Sequence, residues 1–389
     1  MRAVLASLVL FSLGPLSFAG QVLVVGPGSG QIPSIQTAVT LAQDGDIVLV
    51  KSGSYASFSL GDKSLAVVAD TGAVVQVGGI GITGLSSDKY VVLSRLISLD
   101  SYGLYARNCS GKILAQDCSF HAGSFPSSFD VNCGPGLGPS GVDVASCSAV
   151  ALTRCQAQGG WASAALKNGC GLLIDSASRV VVHSSTAIGG TGGSCILGFF
   201  QFGHDGGDGL QLLGGSSLYA SSTLLSGADG TVMSNDNNGF PGTGSSATGG
   251  SSWVVRDTPV SFSPPPGIAP LVLTGRTPAL TGSTLVRDNA TATFTTTAPD
   301  GSHVYLACGT DATFAYTTTV YGVRLVGSPR RFQERTVTTG GQVSWPSLTL
   351  PNLSSSNPGM VFFVQAVVSS TSGPQLSNVQ AVVLVDAAF

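Results

Sequence analysis

Over the first two-thirds of the chain, short runs of alternating apolar and polar residues recur at long intervals, broken by glycine and small polar residues. Four stretches superpose: GLYARNCSGKILAQDCSFHAG from Gly103, GVDVASCSAVALTRCQAQGG from Gly141, GLLIDSASRVVVHSSTAIGG from Gly171 and GLQLLGGSSLYASSTLLSGA from Gly209. Each reads as glycine, a short strand, a small-residue corner, a second strand and a glycine-rich exit. The starts are 38, 30 and 38 residues apart, the period of a stacked solenoid whose single unit buries too little to fold alone.

Side chains alternate faces along a strand. The pattern therefore predicts one inward row of Leu104, Val142, Leu172 and Leu210, and a second of Ile113, Val150, Val180 and Leu218. The outward rows are Tyr105, Asp143, Leu173 and Gln211, then Leu114, Ala151, Val181 and Tyr219, followed by Gln116, Thr153, His183 and Ser221. Corners fall at Cys109, Cys147, Ala177 and Gly215, and at Cys118, Cys155, Ser185 and Thr223. Stacked neighbours lie roughly 4.8 Å apart, so these cysteines read as small buried side chains, with disulfides between coils as the competing reading.

Upstream, Ile35, Ala38, Val39 and Ala42 have helical spacing, and Asp44-Gly45-Asp46 turns into a strand from Ile47 to Val50. These residues, with Gly53 and Tyr55, resemble the opening of secreted right-handed parallel β-helix proteins of the pectin-lyase-like superfamily. The resemblance spans roughly residues 21–263. It implies an N-terminal helix capping the solenoid and speaks to fold more than to activity. A dinucleotide site at VLVVGPGSG is disfavoured, because Gln31 replaces the third glycine and Lys51 stands where a ribose-binding acid belongs.

Beyond Pro264-Pro265-Pro266 the pattern changes to ATATFTTT, HVYLACG, QVSWPSLTL, MVFFVQAVV and VQAVVLV, the turn-separated strands of an antiparallel sandwich. The expected class is all-β: a right-handed parallel β-helix over residues 20–263, a proline-rich linker at 264–267 and an immunoglobulin-like β-sandwich over 268–389. Residues 1–19 read as a signal peptide cleaved near Ala19, which predicts a secreted or surface location. No later run reaches the length of a spanning helix. Only 10% of residues are charged and the formal net charge is -3, which offers no basic field for nucleic acid.

Candidate chemistry gathers in insertions between the repeats, which should leave the solenoid on one side. In QFGHDGGDGLQLLGG, His204, Asp205 and Asp208 form a candidate acid-base group, flanked by Trp161, Phe199, Phe200 and Phe202 as candidate sugar-stacking rings. Turn geometry accounts for the same residues. Asp229, Asn235, Asp236 and Asn237 are candidate calcium donors in a stretch that also reads as a plain loop. The resemblance would bring stacked carboxylates for calcium and an Arg or Lys base, yet the outward rows carry only Asp143. The paired carboxyl groups of a glycosidase are likewise missing. The expectation is a non-catalytic extracellular protein, structural or contacting polysaccharide or cell-envelope material. The alternative is a lyase or hydrolase of acidic polysaccharide.

Overall fold

A computed structural model describes residues 20–99, 102–123, 134–161, 165–191, 194–197, 200–203, 205–230, 240–242, 245–248, 250–258, 268–317, 322–327, 331–337, 340–348, 353, 358–370 and 373–389. The expected leader at 1–19 and the proline linker at 264–267 lie outside them. Among the described residues the chain is all-β apart from one short helix, and its first part winds into three ladders of parallel strands, a β-helix-like arrangement.

The first ladder stacks Phe58–Leu60, Ile80–Thr83, the start of Leu104–Gln116, the start of Val142–Thr153, Leu172–Asp175, Leu210–Leu212 and Ser245–Ala247. The second runs from Val22–Val25 through Ile47–Val50, Leu65–Ala69 and Tyr90–Ser94, onward to Arg179–His183, Ser217–Ser221, Ser252–Arg256 and Leu271–Leu273. The third joins Gly53–Tyr55, Val75–Val77, Leu96–Ser98, Ser119–His121, Gln156–Gln158, Thr186–Ile188 and Leu224–Ser226. Leu104 pairs Val142, Val142 pairs Leu172 and Leu172 pairs Leu210, all at most 1% exposed. Ile113, Val150, Val180 and Leu218 form the second inward row as the alternation predicts.

The first corner column differs from expectation by one residue. It runs Cys109, Cys147, Ser178, Ser216, because the Cys147 N–H donates to Ser178 Oγ and the Ser178 N–H to Ser216 Oγ. Single left-handed residues, Asn108 and Ser146, turn the earlier corners, whereas Ser176-Ala177 and Gly214-Gly215 supply two each. The second column, Cys118, Cys155, Ser185 and Thr223, stands where the repeat places it. Each of its thiols or hydroxyls donates to the carbonyl two residues back, on Gln116, Thr153, His183 and Ser221. The four cysteines of these corner columns, Cys109, Cys118, Cys147 and Cys155, are free thiols.

Ile35–Leu41 is a two-turn helix. Ser34 Oγ accepts its Thr37 N–H, and Lys63 Nζ donates to the carbonyls of Val39, Thr40 and Ala42 at its end. Its buried face, Ile35, Ala38 and Val39, joins the solenoid core.

The C-terminal part forms layers whose strands are antiparallel except for Leu285–Arg287, which pairs with Gly373–Val385 in parallel. A three-stranded sheet (Ala279–Gly282, Ala292–Thr297, Gln342–Leu348) and a five-stranded one (Leu285–Arg287, Gly373–Val385, Gly359–Ser370, His303–Gly309, Arg331–Thr336) share a core of Phe294, Trp345, Leu306, Phe362 and Val382. The other face of the five-stranded sheet lies on the solenoid. Val361, Phe363, Val379, Ala381, Val383 and Val385 pack with Ile47, Ala66, Val92, Leu114, Ala151, Val181 and Tyr219 in one cluster. The last seven are a single register row, the outward row of the second ladder.

Polar contacts fix this docking. Gln116 Nε2 donates to the Ala381 carbonyl at 2.7 Å, and the Ala381 N–H donates back to Gln116 Oε1 at 2.9 Å. Arg287 reaches Asp70 at 2.8 Å, and Arg154 Nη1 reaches the Leu280 carbonyl at 3.3 Å. Along this edge the charges alternate. Lys51 pairs Asp70, Arg95 is attracted by both Asp70 and Asp117, and Arg154 grips Asp117 in a two-point bond at 2.6 and 2.8 Å. Among the described residues no helix is long and apolar enough to cross a membrane.

Because the apolar row is buried between the two parts, a charge placed there has no partner. Ala151→Asp should cost several kcal/mol and make unfolding non-coincident when near-UV and far-UV signals are followed through urea. Gln116→Leu strands two buried Ala381 groups and should cost about 1–3 kcal/mol for each, read from the same midpoints.

Candidate functional site

The insertions leave their coils at one corner, between the end of a third-ladder strand and the start of the next first-ladder strand, where the earlier coils turn in two residues, as from Tyr55 to Phe58. At their bases the outgoing and returning chains alternate in one hydrogen-bonded column. The Gly160 N–H donates to Pro139 O, Gly169 to Gly160, Gly190 to Gly169, Gly207 to Gly190, Ala228 to Gly207 and Gly242 to Ala228, all between 2.7 and 3.0 Å. Such close approach excludes side chains. A Cβ on Gly206 would stand 1.8 Å from the Ala228 carbonyl oxygen, and one on Gly207 2.0 Å from that of Gly169.

The stretch QFGHDGGDGLQLLGG therefore contains a neck. Asp205 Oδ1 accepts the Phe240 N–H at 2.7 Å, while its carbonyl accepts the Asn168 backbone N–H at 3.1 Å and Nδ2 at 2.9 Å. Asp208 is 1% exposed, takes the Gln211 amide on Oδ2 at 2.7 Å and accepts the Gly171 N–H on its carbonyl. The Asp205 carboxylate thus ties one insertion to the next, and the Asp208 carboxylate is held by the strand that follows it. His204 and Phe199 lie outside the described residues. Phe200 and Phe202 sit on a hairpin strand, Phe200–Gly203, paired with Ser194–Leu197. Trp161 is half-buried at the neck, and its indole N–H has no acceptor among the described residues. Asp229 is exposed, and Asn235, Asp236 and Asn237 lie outside the described residues. Among the described residues, no three His, Cys, Asp or Glu side chains are placed to hold a metal.

The other expected positions resolve by ladder. Asp143, in the outward row of the first, is bound at two points by Arg107. His183, in the second, is only 3% exposed; its Nδ1 meets Ser221 Oγ at 2.6 Å, and burial first, then the Arg154 charge, push its pKa down to about 3. On the outward face of the third ladder one row runs Ser54, Gln76, Ile97, Ser119, Gln156, Thr186 and Leu224, and the next His121, Gln158, Ile188 and Ser226, so hydroxyls and amides share it with Ile97, Ile188 and an exposed Leu224.

One group on that face went unnoticed in the sequence. Ser119 Oγ lies 2.6 Å from His121 Nε2, and His121 Nδ1 lies 3.0 Å from Gln158 Oε1. Since the amide oxygen can only accept, Nδ1 holds a ring proton, and the serine hydroxyl has two acceptors in reach, His121 Nε2 and Gln156 Oε1 at 3.3 Å. Ser119, His121 and Gln158 stand in the order of a nucleophile, base and orienter. The signal was Ser-x-His within one strand, with glutamine one coil on. However, the neighbouring backbone donors are committed to the ladder, Gln156 N–H to Cys118 O and Ala122 N–H to Gln158 O, so they cannot serve a developing oxyanion.

Several clefts accompany these faces. One of about 370 Å³ at the junction of the two parts is lined by Asp44, Lys89, Tyr90, Lys112 and Asp311; there burial, aided by Asp311 and Asp44, raises the Tyr90 pKa to about 12. One of about 590 Å³ lies in the C-terminal layers beside Arg276 and Asp300. A third, about 290 Å³, opens on the first ladder between Tyr102, Tyr105 and Gln36. No family model matches this chain, and no curated protein matches it.

Two outcomes follow from this geometry. Gly207→Ala should destabilise by about 1–3 kcal/mol through overpacking, whereas Gly61→Ala, where a Cβ meets open space, should leave the thermal midpoint unchanged or slightly raised. His183 has a folded pKa near 3 against an unfolded value near 6.5, so the unfolded chain binds the proton first and stability falls as pH drops through that window. Urea titrations between pH 6 and 4 should show a slope about 1.4 kcal/mol per pH unit steeper for wild type than for His183→Gln.

Proposed function

We propose that this is an exported right-handed parallel β-helix protein, capped by its N-terminal helix and carrying an immunoglobulin-like sandwich. It acts without turnover, as a structural or glycan-contacting element of a cell surface or matrix. The observation that carries the reading is that four of the solenoid's carboxylates, Asp70, Asp117, Asp143 and Asp208, are each already engaged by another side chain. Asp70 is held by Lys51 and Arg287, Asp117 by Arg154, Asp143 by Arg107, and Asp208 by Gln211. A lyase or glycosidase needs a carboxylate or base free to meet substrate. The faces that remain open offer hydroxyls and amides, which suit hydrogen bonding to sugars. The apolar outward row that could have carried a site on the second ladder is under the sandwich.

The second reading, a hydrolase, draws on Ser119, His121 and Gln158, whose order fits acyl transfer. Incubation of the full chain with neutral and acidic polysaccharides, with and without calcium, and with p-nitrophenyl acetate separates the two. Saturable retention on a polysaccharide without new reducing ends, unsaturated products or ester cleavage is the expected result. Ester turnover abolished by Ser119→Ala, or sugar-chain cleavage abolished by Asp205→Ala, would replace the proposal with the hydrolase.

A further inference from the structure

We propose that the groove walled by Tyr102 and Tyr105 is a subsite for an uncharged pyranose unit of a neutral polysaccharide. The proposal rests on the glycan-contacting reading above and names where the sugar lies and which sugars fit.

The groove exists because one residue lacks a side chain. Tyr105 is in register with Gly81 of the preceding coil, and its ring lies over that glycine: a Cβ there would stand 2.4 Å from Tyr105 Cζ and 2.3 Å from its hydroxyl. Alternation would otherwise place an outward side chain at position 81. The phenol instead folds along the sheet and presents its other face. Tyr102, 41% exposed, stands at 69° to it with ring centroids 6.2 Å apart, so the two rings make a floor and a wall. Ser57, Phe58, Ser59, Gly79 and Gln36 complete the lining. The helix fixes the far rim, since Gln36 Oε1 accepts the Ser59 N–H at 2.8 Å and its Nε2 donates to the Ser59 carbonyl at 3.3 Å.

Aromatic faces set at an angle beside hydroxyls and an amide suit a molecule with one C–H face and a belt of hydroxyls. No lysine, arginine or histidine lines the groove. A uronate, sulfate or phosphate group would therefore lose water without gaining a charge partner. The volume, about 290 Å³, is at the small end of ligand clefts and suits a single ring of a chain that continues along the open first ladder.

The test measures binding of the full chain to soluble glucan, mannan and xylan, and to polygalacturonate and alginate, by affinity electrophoresis. Wild type is compared with Tyr102→Ala and Gln156→Ala, each checked for native circular dichroism. Support is binding to at least one neutral polymer that weakens roughly tenfold in Tyr102→Ala, corresponding to the upper range of one aromatic contact, and persists in Gln156→Ala. Binding to the acidic polymers alone overturns the inference and leaves the glycan-contacting reading standing. So does neutral binding that ignores Tyr102 and follows Gln156. Absence of binding to every polymer overturns both.

Discussion

The constraint on which this molecule rests is the spacing of one parallel hydrogen-bonded strand per coil, about 4.8 Å. Once it is imposed, any position of the repeat becomes a column along the axis, and each column must be chemically tolerable to itself. Inward columns are met by Leu, Val and Ile. Corner columns are met by side chains that are small and carry one donor, which is why cysteine, serine and threonine exchange freely there. At Cys118, Cys155, Ser185 and Thr223 the thiol and the hydroxyl make the same bond to the carbonyl two residues back. The cysteines thus need no disulfide to explain their register.

Charge obeys the same rule. Like charges stacked at this distance would repel, so the edge that carries them alternates sign from Lys51 through Asp70, Arg95 and Asp117 to Arg154. In a chain with only 10% charged residues, this arrangement draws on a good share of those the solenoid has. It also aligns the C-terminal part, because Asp70 and Arg154 are the residues that Arg287 and the Leu280 carbonyl meet. Exposed ion pairs contribute little; half-buried and linked to the docking surface, these set orientation more than stability.

Much of this was legible in the sequence. Alternation within a strand and the long repeat together yield the inward and outward rows, because a period of two allows only one assignment once the repeats are aligned. The first corner column came out one residue wrong beyond Cys147. Ser176-Ala177 supplies a second left-handed residue with no glycine to announce it. The docking of the C-terminal layers is also signalled in the sequence. IVLV, LAVVA and RVVVH are runs apolar on both faces, the mark of a parallel strand buried on both sides. The outward row Leu114, Ala151, Val181, Tyr219 had been read for missing carboxylates rather than for the cover its apolar character demands. The tyrosine groove escaped because its floor, Gly81, belongs to a coil upstream of the four aligned stretches.

The same logic distinguishes the surfaces of the solenoid. A three-sided coil has three outward faces, and burying one beneath the sandwich leaves two. The insertions start and end at the corner between those two, where a column of backbone bonds built mostly on glycine ties their bases together. What a partner meets there is set by neighbouring columns: hydroxyls and amides on the third ladder, and on the first a tyrosine pair lying against a glycine.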